Sequence, residues 1–88
     1  MAEITVFIAF RPAGEAHGHF EAPAGHAEAL RAAVRRALRC RVELDAELFR
    51  RAAGAAGVPP EAVERARASL ALAGGLTLVD RSPEAGPL

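Results

Sequence analysis

The sequence predicts a small α+β domain: an N-terminal β-hairpin and a C-terminal strand in a small antiparallel or mixed sheet, with three short helices packed on one face. Three observations lead there. A run rich in β-branched and aromatic residues opens the chain, Glu3-Ile-Thr-Val-Phe-Ile-Ala-Phe10. Three later stretches place apolar residues at helical spacing. A last short apolar run, Leu76-Thr-Leu-Val79, follows a Gly-Gly pair. Eighty-eight residues make one domain. Residues 1–80 are expected to form it, with 81–88 as a loose tail carrying Ser82-Pro83 and Gly86-Pro87.

The first strand has two apolar faces. Ile4, Val6, Ile8 and Phe10 share one; Thr5, Phe7 and Ala9 share the other. Such a strand is expected to be central in a sheet or covered by a partner. Phe7 is therefore the candidate interface residue. Arg11-Pro-Ala-Gly14 breaks the strand, and residues 15–22 return as a second one, weakened by Gly18 and ended by Pro23-Ala-Gly25.

Residues 26–39 are expected to be helical, with Ala27, Leu30, Val34, Ala37 and Leu38 on the buried face. Residues 40–44 read as a short link or strand. Asp45 is a suitable N-cap for a helix over 46–56, with Leu48, Phe49, Ala52 and Ala56 as its stripe and Gly57 as its stop. Pro60 suits the first position of a third helix, and Glu61 and Glu64 suit its start. Its stripe is Val63, Ala66, Leu70 and Ala73, and Gly74-Gly75 closes it.

Composition narrows function more than it identifies it. Net charge is zero, and all eleven basic residues are arginine. Residues 30–51 carry seven of those arginines against Glu43, Asp45 and Glu47. A dedicated nucleic-acid binder is usually more basic overall. The single Cys40 excludes an internal disulfide and suits a reducing compartment. No apolar run approaches the roughly 20 residues of a membrane span. The expected location is the cytoplasm.

Two constellations carry candidate chemistry. Arg31, Arg35 and Arg39 recur at every fourth position of the first helix, flanked by Arg36, and form a candidate anion- or partner-binding stripe. No aromatic residue interleaves them as a stacking platform. In an extended strand His17, His19 and Glu21 lie on one side, two imidazoles and a carboxylate that suit zinc or iron(II). The competing reading of each is a solvated polar face. No catalytic set is present, and no cofactor is expected: Ser69 and Ser82 have no motif around them, and there is no Gly-rich phosphate loop.

Residues 45–73 have a helix–turn–helix outline, followed by the strand Leu76–Val79. This resembles the second and third helices and wing of a winged helix, with residues 26–39 in the place of its first helix. The would-be recognition helix starts with Glu61 and Glu64, which repel DNA where contacts are usually made. The leading expectation is therefore a non-enzymatic interaction module, a regulatory or accessory subunit that binds a protein partner or forms a homodimer. The alternative is a winged-helix-like nucleic-acid-binding regulator using the arginine-rich middle. A third reading is a small metal-binding protein built on His17, His19 and Glu21.

Overall fold

The computed structural model describes residues 2–9, 16–39 and 43–80. The expected tail, 81–88, lies outside the described residues. Within them the chain is α+β, with three helices and two small three-stranded sheets.

The first sheet holds β1 (Glu3–Ala9), β2 (His17–Pro23) and β5 (Ala71–Ala73), in the order β1-β2-β5. All its pairings are antiparallel, with Val6 opposite Phe20 and Gly18 opposite both Ile8 and Leu72. The second sheet holds β3 (Leu38–Arg39), β4 (Glu43–Asp45) and β6 (Thr77–Val79), in the order β3-β4-β6. Here β3 and β4 are antiparallel, and β4 and β6 parallel.

After β2 a single 3₁₀ turn, Ala24–His26, leads into α1 (Ala27–Ala37). The expected helix over 26–39 therefore stops two residues early. Leu38 and Arg39 are extended because they pair with Leu44 and Glu43. Next, α2 (Ala46–Ala55) packs along α1. The Asp45 carboxylate accepts hydrogen bonds from the backbone N–H of Glu47 (2.9 Å) and Leu48 (3.3 Å), which satisfies two orphan donors of the first turn. Beyond α2, Gly57 has a positive φ of 87°.

Asp45 is buried, and burial pushes its carboxyl pKa up. The bonds from Leu48, Glu47 and Arg39 outweigh that, and the net direction is down. A carboxyl lowered by folding stabilises the fold above its unfolded pKa and loses that contribution as pH falls through the folded value. Asp45→Ala is expected to cost about 1 kcal/mol at pH 7. The difference from the unsubstituted chain should shrink below about pH 4, where the unfolded carboxyl protonates. Urea unfolding at pH 7 and pH 3 checks both points. An equal loss at the two pH values would mean that the cap works without its charge.

The third helix, α3 (Pro60–Ser69), starts where Pro60 allows and ends four residues before the expected Ala73. Residues 71–73 form β5 instead. Ser69 marks the change. Its hydroxyl donates to the Arg65 carbonyl (2.8 Å) and accepts from the Glu21 N–H (2.8 Å). Continuing the β2–β5 register by two residues puts Ser69 opposite Glu21. The hydroxyl thus supplies the acceptor that a strand carbonyl would supply one step earlier in the ladder.

Gly74 and Gly75 both have positive φ, 75° and 93°, a conformation that β-branched or bulky residues resist. They turn the chain so that β5 and β6 join different sheets. The expected single sheet is thus two, and the strands after α3 do not pair as the hairpin of a wing. One apolar core lies between the sheets and the helices. Its largest fully buried side chains are Phe20, Phe49, Leu30, Leu44, Val6 and Val34.

Candidate interaction face

The helices cover only one side of the β1-β2-β5 sheet. Val6 and Ile8 point into the core, as do Gly18, Phe20 and Ala22. The other side is open. It carries Thr5, Phe7 and Ala9 from β1, His17, His19 and Glu21 from β2, and Ala71 and Ala73 from β5. Phe7 is 68% exposed at its centre. The register sets it beside His19, and their ring centroids are 5.7 Å apart at a tilt of 54°.

One end of this face is polar and internally satisfied. Thr5 Oγ1 donates to Glu21 Oε2 (2.8 Å). Arg65 grips Glu3 with two hydrogen bonds, 3.1 Å from Nε and 2.8 Å from a terminal nitrogen. That grip holds the Glu3 carboxyl below the usual carboxylate range. The other end is formed by Phe7, His19, His17 and three alanines.

Among the described residues β1 lies at the edge of its sheet, not at the centre. Its apolar outer face is therefore not explained by strands on both sides. A sequence shows that a strand is apolar on two faces, but strand order depends on contacts far apart in the chain.

His17, His19 and Glu21 do share one face, as strand alternation requires. Same-face neighbours on a strand, however, stand about 6.8 Å apart, so the three are strung along β2. Thr5 bonds Glu21, and His19 lies against Phe7. Among the described residues no three His, Cys, Asp or Glu side chains lie close enough together to hold a metal ion.

The arginine stripe is broken. Because α1 ends at Ala37, Arg39 lies in β3 and reaches toward Asp45 (3.4 Å). Arg31 bonds Glu28 one turn back. Arg35 and Arg36 remain exposed, with no ion pair among the described residues. Arg36 and Arg51 flank a groove of about 620 Å³ between α1 and α2, whose floor is Leu48 and alanines.

Sequence reading missed a charge cluster that joins α2, α3 and the residue after β6. Arg50 bonds Glu64 (2.8 Å) and clamps Asp80 with two bonds, 3.1 and 3.3 Å. Arg67 approaches both of those carboxylates, at 3.5 and 3.6 Å. Arg50, with Arg67 behind it, holds the Asp80 carboxyl below its ordinary range. Two cations against two anions across α2, α3 and the end of β6 make a staple.

No protein-family model matches this chain, and no curated protein and no solved structure was found to match it. Its function therefore has to be argued from its own surface. Among the described residues no helix is long and apolar enough to cross a membrane.

Proposed function

We propose that this chain is a small non-enzymatic interaction module of the cytoplasm, a regulatory or accessory subunit that binds a protein partner through the open face of its hairpin sheet. The observation that carries this reading is Phe7. Single exposed apolar residues are common on soluble proteins. A phenylalanine 68% exposed at the centre of a sheet face, beside His19 and between Thr5 and Ala9 on its own strand, with His17, Ala71 and Ala73 beyond, is a patch with an aromatic anchor. The polar end, Thr5, Glu21, Glu3 and Arg65, has its hydrogen bonds made internally and supplies a rim.

A photo-crosslinking phenylalanine analogue at position 7, expressed in cells, tests the reading. It is expected to give a protein adduct of discrete mass, while the same analogue at Arg35 gives none. An adduct of twice the chain mass identifies a second copy, and another mass identifies a different partner. Position 7 yielding no protein adduct would overturn the proposal.

A further inference from the structure

We infer that the partner of β1 is the β1 of a second copy, added antiparallel at the sheet edge so that two hairpin sheets become one continuous sheet. The inference rests on the proposed interaction role of β1, names its occupant, and places the contact at the strand edge rather than on the open face alone.

The two exposed large hydrophobic residues among those described are Ile4, 40% exposed, and Phe7. Both lie on β1, but the strand alternation points them to opposite faces. A partner laid on the open face would cover Phe7 and leave Ile4 in water. A strand added at the edge touches both.

The backbone of that edge is ready for it. In an antiparallel ladder the N–H and C=O of one residue point the same way, and successive residues alternate. The Glu21 N–H points toward the α3–β5 side, where it donates to Ser69. His17 and His19 therefore also point toward β5, and Gly18, Phe20 and Ala22 point toward β1. Their partners Ile8, Val6 and Ile4 use their groups inward. The bond from the Ala24 N–H to the Ala2 carbonyl (3.0 Å) has the same parity. Hence Glu3, Thr5, Phe7 and Ala9 direct their backbone donors and acceptors to the outer edge.

Natural sheets guard such an edge with lysine, proline, a bulge or an inward-pointing charge. Residues 3–9 contain none of these: the register is continuous, and the one charge, Glu3, is held by Arg65 of its own chain. A twofold axis at Val6 pairs all seven residues of the strand. Glu3 then faces Ala9 of the other copy, and Thr5 faces Phe7, each through outward groups. No like charges meet. On the core-side face Ile4 lies beside Ile8 of the other copy. On the open face the two Phe7 rings become diagonal neighbours, within aromatic reach.

Sedimentation of the full chain over a concentration series, with two variants, tests this. Proline is tolerated on an edge strand where its missing N–H faced solvent. Thr5→Pro therefore removes an outward donor from each copy and leaves the inward ladder intact. Thr5→Ala is the control that loses the hydroxyl and the γ-methyl, as proline does, but keeps the backbone N–H. The unsubstituted chain and Thr5→Ala are expected to dimerise. Thr5→Pro is expected to keep the native circular dichroism spectrum and to dimerise at least about tenfold more weakly. If Thr5→Pro loses its fold, Phe7→Lys, a surface change that adds an edge charge, replaces it with the same expectation. A monomer at millimolar concentration, or dimerisation unchanged in Thr5→Pro, overturns edge pairing. A crosslink from position 7 to a different protein, with the chain itself monomeric, would sink this inference and leave the interaction module standing.

Discussion

Phe20→Ala is expected to destabilise the fold by about 3–5 kcal/mol, whereas Phe7→Ala should change the stability of a single chain by less than about 0.5 kcal/mol. The two residues make a matched pair. Both are phenylalanines on neighbouring strands of one hairpin, one register step apart and so on opposite faces. Phe20 points inward from the central strand, fully buried, opposite Val6, which is 1% exposed. Truncating it removes the transfer energy of the ring and leaves a cavity, since strands fixed on both sides cannot close over the space. Phe7 points outward and loses only surface contacts. A chain of this length has a total stability of roughly 4–13 kcal/mol. Phe20→Ala should therefore lower the melting temperature by more than about 12 °C. Thermal unfolding at low protein concentration, where association does not contribute, makes the comparison. Equal losses in the two variants would mean that the two faces of β1 and β2 are buried alike, and the open face would not exist.

The residues that were legible in the sequence are those whose signal is local. β-branched and aromatic composition showed β1, the turn residues 11–14 showed β2 returning after it, and strand periodicity then placed Phe7 and the shared side of His17, His19 and Glu21. Asp45 announced α2, and Pro60 announced α3. The end of α3 was not legible, because Ser-Leu-Ala-Leu-Ala fits two periods equally. Ala66, Leu70 and Ala73 continue a helical stripe, while Leu70 and Leu72 alternate with Ala71 and Ala73 as in a strand. The choice is made by β2, which offers an antiparallel partner to residues 71–73. The division into two sheets is hidden for the same reason: β6 pairs in parallel with β4, more than thirty residues earlier in the chain. The arginine stripe failed with the helix end. Once Leu38 pairs with Leu44, Arg39 leaves the helical surface to which Arg31 and Arg35 belong. The position of β1 at an edge, on which the proposed interaction depends, is a property of strand order, and local patterns do not encode it.

Gly18→Ala is expected to be destabilising by about 1–3 kcal/mol, although alanine normally improves on glycine inside a strand. Gly18 sits in the central strand where β5 docks, opposite Leu72. A Cβ built there would lie 2.8 Å from the Ala71 carbonyl oxygen and 2.8 Å from Leu72 Cδ2. Such contacts are far inside ordinary van der Waals distance, so something must move. The leucine side chain can rotate. The carbonyl belongs to the backbone of β5, and moving it strains the short ladder that holds residues 71–73 as a strand. The damage should therefore concentrate in β5, with faster amide hydrogen exchange at Ala71–Ala73 than the global loss explains, and slower change in α1 and α2. Leu72→Ala in the same chain should not restore stability, because the carbonyl remains. A Gly18→Ala variant as stable as the parent would show that β5 yields without cost. Rescue by Leu72→Ala would shift the limit from the backbone to the side chain.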